Sequence, residues 1–189
     1  MGNLTVSQPT NIRTPDGNSL AVFIDGISGI IKLKDAVGNV QPLSDFIGLP
    51  SPFEYGTGIG AIQPILGNND ASGGCSTIGG GYFNNASGYK STIGGGDSNY
   101  TSGQGSTIGG GSQNSSSCYA TIGGGIQNQA SGYYATIGGG STNLASSSYA
   151  TIGGGYCNTA SSSNATIGGG RYNTASFNNT TIGGGAYNT

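Results

Sequence analysis

The tetrad Thr-Ile-Gly-Gly returns eight times in this chain, with Thr at positions 77, 92, 107, 121, 136, 151, 166 and 181. Six of the seven steps are 15 residues and one, Thr107 to Thr121, is 14. A fixed short period constrains a fold more than any local propensity, because every copy must meet its neighbour in the same way. The filler keeps register too, and the unit reads T-I-G-G-G-x-x-N-x-A-S-x-x-x-[SA]. Asparagine holds one position throughout, at Asn84, Asn99, Asn114, Asn128, Asn143, Asn158, Asn173 and Asn188. Two places later stands a small residue: Ala86, Ala130, Ala145, Ala160 or Ala175, with Thr101 and Ser116 as exceptions. A partial copy, Asn69-Asp70-Ala71-Ser72, precedes the first tetrad. The short step removes one filler residue between Asn114 and Thr121 and leaves the tetrad intact, as a loop-length change in a solenoid does.

Fifteen residues are too few for a pair of helices, and Thr-Ile beside three glycines is poor helix material, since glycine costs about 1 kcal/mol per site. The unit suits one turn of a β-coil with two short strands, which makes the chain all-β. Ile78, Ile93, Ile108, Ile122, Ile137, Ile152, Ile167 and Ile182 would point inward with the alanines as a core ladder. The asparagines would form a hydrogen-bonded ladder beside them, and the glycines would permit tight turns and close backbone approach. Tyr89, Tyr119, Tyr133, Tyr134 and Tyr149 fall just before tetrads, on an exposed or subunit-facing edge.

With 40 glycines among 189 residues, a flexible linker is the alternative. An entropic linker has no reason to hold Ile, Asn and Ala in register, and no proline follows Pro64. Only Asp70, Lys90, Asp97 and Arg171 are charged beyond that point, whereas disordered segments tend to be charge-rich. One Ile and one Ala per coil is a thin core against backbone ordering of roughly 1 to 2 kcal/mol per residue. Several chains sharing an axis would pool their apolar faces, so a homotrimer is the expected assembly.

Residues 1–58 are a different kind of sequence, holding Arg13, Lys32, Lys34, Asp16, Asp25, Asp35, Asp45 and Glu54. Leu20 to Asp25 and Gly29 to Asp35 read as strands around a turn at Gly26, and Ile31-Lys32-Leu33-Lys34 alternates as a half-buried strand should. Val37-Gly38-Asn39 is a second turn, and Pro50, Pro52 and the glycine-rich stretch to Gly60 read as a linker. We read residues 1–58 as a small β anchor domain with its linker and residues 59–189 as the repeat array. Phe23, Ile24, Phe46 and Phe53 are candidate docking residues, because specific interfaces need distinctive anchors where repeats offer sameness.

Chemistry is sparse. Histidine is absent, which removes the common triads and the commonest metal ligand. Asp16 with Asp25, or Asp35 with Asp45, could be imagined as acid and base, but turn and solvated roles suit Asp beside Gly or at strand ends. No Gly-Lys-Ser/Thr follows any Gly-Gly-Gly run, and the Asp of calcium-binding β-roll repeats is missing. We therefore expect no enzyme, no catalytic residue, no metal and no cofactor. Cys75, Cys118 and Cys157 are odd in number and out of phase, which suits free thiols. A net charge of −2 with five basic residues gives no stripe for phosphates, so no nucleic acid is expected. No apolar run approaches the roughly 18 to 20 residues of a membrane span, and the start Met1 to Val6 reads as no signal peptide. Sequons such as Asn85-Ala86-Ser87 are by-products of a repeat that pairs Asn with Ser or Thr.

The run Ala135-Thr136-Ile137-Gly138-Gly139-Gly140 through Asn143-Leu144-Ala145-Ser146 resembles the head repeats of trimeric autotransporter adhesins, with their Ala-Ile-Gly core motif and spaced small residues. That resemblance covers about 115 residues of this chain and implies a trimeric, left-handed parallel β-roll. The stretch Ser19 to Asp25, with Gly29 to Asp35 and Val40 to Asp45, is similar to the start of virion fibre proteins of tailed phages. Together these imply a structural virion protein, a trimeric fibre or capsid or tail appendage at the virion surface. It would dock to other virion proteins through residues 1–58, and its shaft would meet a host-surface glycan or receptor. Two alternatives stand beside this: a fragment of a bacterial trimeric surface adhesin, and an ice-binding solenoid, since stacked Thr on a flat β-face can match ice spacing.

Overall fold

Thr-Ile extends the backbone for two residues and the glycines after it turn the chain, so each tetrad makes one very short strand. In the computed structural model, which describes residues 53–189 and the backbone of four earlier strands, these run from Thr77–Ile78 to Thr181–Ile182. A second set, from Asn85–Ala86 to Thr174–Ala175, is formed two residues at a time by the segment after each ladder asparagine. The protein is all-β, with no helix among the described residues.

The strands stack in parallel and in register, like on like. Thr136 faces Thr121 and Thr151, Ile137 faces Ile122 and Ile152, and Ala145 faces Ala130 and Ala160. The 14-residue turn leaves this register untouched, with Thr107 opposite Thr121 and Ile108 opposite Ile122. The result is a β-solenoid in which one chain coils upon itself. Seven strands form one sheet and ten the other, and at about 4.8 Å per strand the eight coils span roughly 40 Å.

Backbone hydrogen bonds run between coils. In the coil beginning at Thr136, the N–H groups of Thr136, Gly138, Ser141, Leu144 and Ser146 donate to the following coil, and those of Thr142 and Tyr149 donate to the preceding one. The two reversed donors sit at left-handed residues, φ 57° at Thr142 and 59° at Tyr149, because that conformation flips the peptide. Both positions recur as left-handed columns, Phe83 to Tyr187 and Cys75 to Asn179, filled almost entirely by non-glycine residues. Such a conformation is uncommon outside glycine, and the hydrogen bond made to the neighbouring coil offsets its cost.

The tetrad glycines are not equivalent. A Cβ on Gly138 would lie 2.3 Å from the Gly153 carbonyl oxygen, whereas one on Gly139 would meet nothing nearer than 4.0 Å. Close approach therefore demands glycine at the third place of the unit, and a left-handed φ of 90° at Gly140 favours it at the fifth.

The core is broader than one Ile and one Ala per coil. The residue before each Thr from Thr77 to Thr166 also points inward: Ser76, Ser91, Ser106, Ala120, Ala135, Ala150 and Ala165 are all fully buried. Ladder asparagines fill the remaining space, so four side chains per coil face the interior. The first described strand, Phe53–Tyr55, pairs antiparallel with Ile62–Pro64, which pairs in turn with Thr77. The stretch read as a linker thus extends the solenoid's sheet across its first edge.

Two compact units divide the chain, Met1–Ser51 and Pro52–Thr189. In the first, strands Thr10–Arg13, Ser19–Ile24, Ile31–Lys34 and Val40–Pro42 form an antiparallel sheet in sequential order. Strands expected around Leu20 to Asp25 and Gly29 to Asp35 are present and pair with each other; the turns between them lie outside the described residues.

Candidate functional site

Two kinds of position alternate around each coil, and they have different chemistry. The isoleucines from Ile78 to Ile167 are fully buried, and Ile182, in the last coil, is partly buried against them.

The asparagines behave as structural elements rather than as ligand groups. Asn143 donates its backbone N–H to Asn128 Oδ1 at 3.0 Å, and its Nδ2 reaches the same oxygen at 3.0 Å. That nitrogen also reaches the carbonyls of Gly139 at 3.1 Å and Gly155 at 2.9 Å. Asn143 Oδ1 in turn accepts from the backbone and side chain of Asn158. The arrangement is shared by Asn84, Asn99, Asn114, Asn158 and Asn173, all buried, and continues to Asn188, which is exposed in the last coil. At the 14-residue turn Asn128 retains its bonds to Asn114 Oδ1 through the backbone and to the Gly124 and Gly140 carbonyls.

Of the candidate docking residues, Phe23 and Ile24 lie on the strand Ser19–Ile24, opposite Lys32 and Ile31. Phe46 lies outside the described residues. Phe53 stands on the first strand of the solenoid unit, opposite Pro64, and is partly exposed. These residues are not brought into one site by anything described.

Outward positions carry the variable chemistry. The Thr column from Thr77 to Thr181 is uncharged and regular, with a glycine beside each Thr on the same face. The two left-handed columns are where aromatics gather. Tyr119 stacks on Tyr134 at 5.0 Å between ring centroids, and Tyr134 on Tyr149 at 5.5 Å. Tyr133 stands edge-on to both Tyr119 and Tyr134, at 5.4 and 4.5 Å. Hydrogen bonding with Tyr134, then burial and the neighbouring phenols, pushes the Tyr133 hydroxyl above its ordinary value. Tyr89 carries Lys90 against its ring, 5.1 Å from the centroid.

A second group was not evident in the sequence. Tyr172 stacks on Tyr187 at 5.1 Å, Tyr156 meets Tyr172 edge-on at 5.3 Å, and the Arg171 guanidinium lies 5.9 Å from the Tyr187 centroid. These residues come from three consecutive coils; Tyr156 and Arg171, like Tyr172 and Tyr187, stand 15 residues apart, one repeat unit, and that spacing is the signal that could have found them. Hydrogen bonding with Tyr172, then with Cys157, pushes the Tyr156 hydroxyl up to about 12. The three cysteines are free thiols, Cys75 and Cys118 exposed and Cys157 half-buried.

Among the described residues no group of three or more His, Cys, Asp or Glu side chains could hold a metal ion, and no helix is long and apolar enough to cross a membrane. The fold and these surfaces define a β-solenoid repeat protein with aromatic ladders on its outside. No family model matches the chain, and no curated protein matches it in sequence.

Proposed function

We propose that this chain is a structural and binding protein rather than an enzyme: the shaft of a trimeric virion fibre or capsid or tail appendage. Residues 1–58 dock it to other virion proteins, and the solenoid projects outward to meet a host-surface glycan or receptor. The observation that carries the reading is the division of each coil into repeated inward ladders and varied outward columns. A rod held this way sets reach by the number of coils while its surface remains free for recognition. Association into a trimer uses the uncharged Thr and Gly face, whose residues repeat in register from coil to coil.

Deleting two repeats, Thr136 to Ala165, tests the assignment together with removal of residues 1–58. The first variant is expected to shorten the fibre in electron micrographs of particles and leave incorporation intact; the second is expected to abolish incorporation. Particles that retain the second variant or lose the first would refute it. Light scattering of the purified chain checks the trimer independently.

The in-register Thr column favours a second reading, an ice-binding solenoid. Thermal hysteresis of the purified protein distinguishes it from a fibre, and labelling of a bacterial envelope instead of particles would point to a surface adhesin.

A further inference from the structure

Arg171 is one of only two basic side chains in the solenoid unit, the other being Lys90. It stands in the outward column Tyr82, Asp97, Ser112, Ile126, Ser141, Tyr156, Arg171, Ala186. The acidic side chain nearest along that column, Asp97, is five coils away, roughly 24 Å at the inter-strand spacing. That distance exceeds the Debye length of about 8 Å at physiological salt, so the guanidinium is not neutralised from within its column. In its column Tyr156 stands one coil before it and Ala186 one coil after; Tyr172 is next in sequence, and the Tyr187 ring in the following coil lies 5.9 Å from the guanidinium.

We propose that Tyr156, Arg171, Tyr172 and Tyr187 form a binding site for a carboxylate-bearing sugar residue of a surface glycan. The inference rests on the surface-binding reading above and names the ligand class and the place. An arginine presents a planar fork of donors that matches a carboxylate bidentately. A single unpaired positive charge suits a monoanion. Polyanions need cations at short intervals, and Lys90 lies six coils away. The phenols supply what a sugar needs beyond charge, an apolar ring body and a hydroxyl tip. Tyr156 and Tyr187 are exposed at 46 and 68%, so both are open to a ligand. Hydrogen bonding with Tyr172, then with Cys157, pushes the Tyr156 phenol up to about 12, so it stays neutral at physiological pH and adds no negative charge beside the guanidinium. The other tyrosine ladder, Tyr119 to Tyr149, has no cation beside it and serves as an internal control.

The test uses the full chain, with binding measured by calorimetry or saturation-transfer NMR. Three probes are compared: a sialic-acid-terminated trisaccharide, a glucuronic-acid disaccharide, and lactose as the neutral reference. At least one acidic probe is expected to bind about tenfold tighter than lactose, the effect of one charge-assisted contact; which one binds separates the two sources of carboxylate. Arg171→Gln is expected to remove that preference, Arg171→Lys to keep part of it, and Tyr134→Ala to leave it unchanged. Both substituted sites, Arg171 and Tyr134, are at the surface, and circular dichroism verifies folding. No binding of either acidic probe, equal binding of lactose, or a preference that survives Arg171→Gln overturns the site. Binding of the chain to host cells that persists in Arg171→Gln would overturn this site while leaving the broader adhesion reading in place; absence of host binding in the unaltered chain would count against that reading itself.

Discussion

Replacing Asn143 with alanine should cost far more than the loss of one polar side chain suggests. The side-chain oxygen of Asn143 accepts from Asn158 through both backbone and side chain, at 3.0 and 3.2 Å. Without it the Asn158 N–H is buried with no acceptor, a penalty of about 1–3 kcal/mol. The Gly139 carbonyl loses its Nδ2 donor as well, whereas Gly155 keeps the Ser141 N–H. Adding that lost bond and a small void brings the expected cost to about 3–5 kcal/mol. Asn188→Ala is the reference: its Nδ2 reaches Asn173 and Gly184, but the residue is exposed and no described coil hangs from its oxygen. That change should cost under about 1 kcal/mol. Urea denaturation followed by circular dichroism compares the two at one protein concentration, because association shifts apparent stability. Hydrogen exchange at the Asn158 amide should accelerate in Asn143→Ala alone. Equal costs for the two variants, or unchanged protection at Asn158, would refute the view that the asparagine ladder ties the coils together.

Gly138→Ala should destabilise by about 1–3 kcal/mol or more through its clash with the Gly153 carbonyl, and Gly139→Ala should be tolerated; thermal melts of the pair check this. Ser116→Ala should stabilise by about 1 kcal/mol, because that buried hydroxyl has no partner and other coils carry Ala there, while Ser106→Ala should not, since its hydroxyl donates to Gly103 at 2.8 Å. Spectrophotometric titration should find one phenol ionising near pH 12, with Tyr172→Phe bringing it back toward 10. With the folded value raised above the unfolded one, whatever Tyr156 contributes to stability is present below pH 10 and is lost as pH rises through 12.

The sequence displayed the period, the inward Ile and the Asn column directly, because like residues recurring at one phase can only be stacked ladders. It hid the third inward column. Ser76, Ser91 and Ser106 look polar beside Ala120, Ala135 and Ala150, and their shared phase with burial appears only once the strand is known to begin one residue later. The left-handed columns were hidden for a related reason. Glycine normally announces a positive φ, yet Lys90, Tyr134, Thr142 and Cys157 adopt it because a hydrogen bond to the neighbouring coil depends on it. The linker reading of Pro50 to Gly60 failed to anticipate Phe53–Tyr55 since a three-residue strand in glycine-rich surroundings has no periodicity to detect.

Those left-handed columns also explain why aromatic ladders arise on this surface at all. A side chain there leans onto the coil before it: a Cβ on Gly105 would be 3.0 Å from the Tyr119 ring. An aromatic at such a position therefore covers whatever residue stands one unit earlier. Where that residue is glycine the ring lies over backbone; where it is another tyrosine the two stack, as in Tyr134 on Tyr119. One substitution per coil is enough to lengthen a ladder, and no inward column has to change. The interior is bound to repetition by packing and hydrogen bonding, so variation that leads to recognition is channelled into the outward columns. Arg171 with its three tyrosines stands at such a place, where a ligand site can be assembled from three coils without disturbing the ladder of Asn158 and Asn173 beneath it.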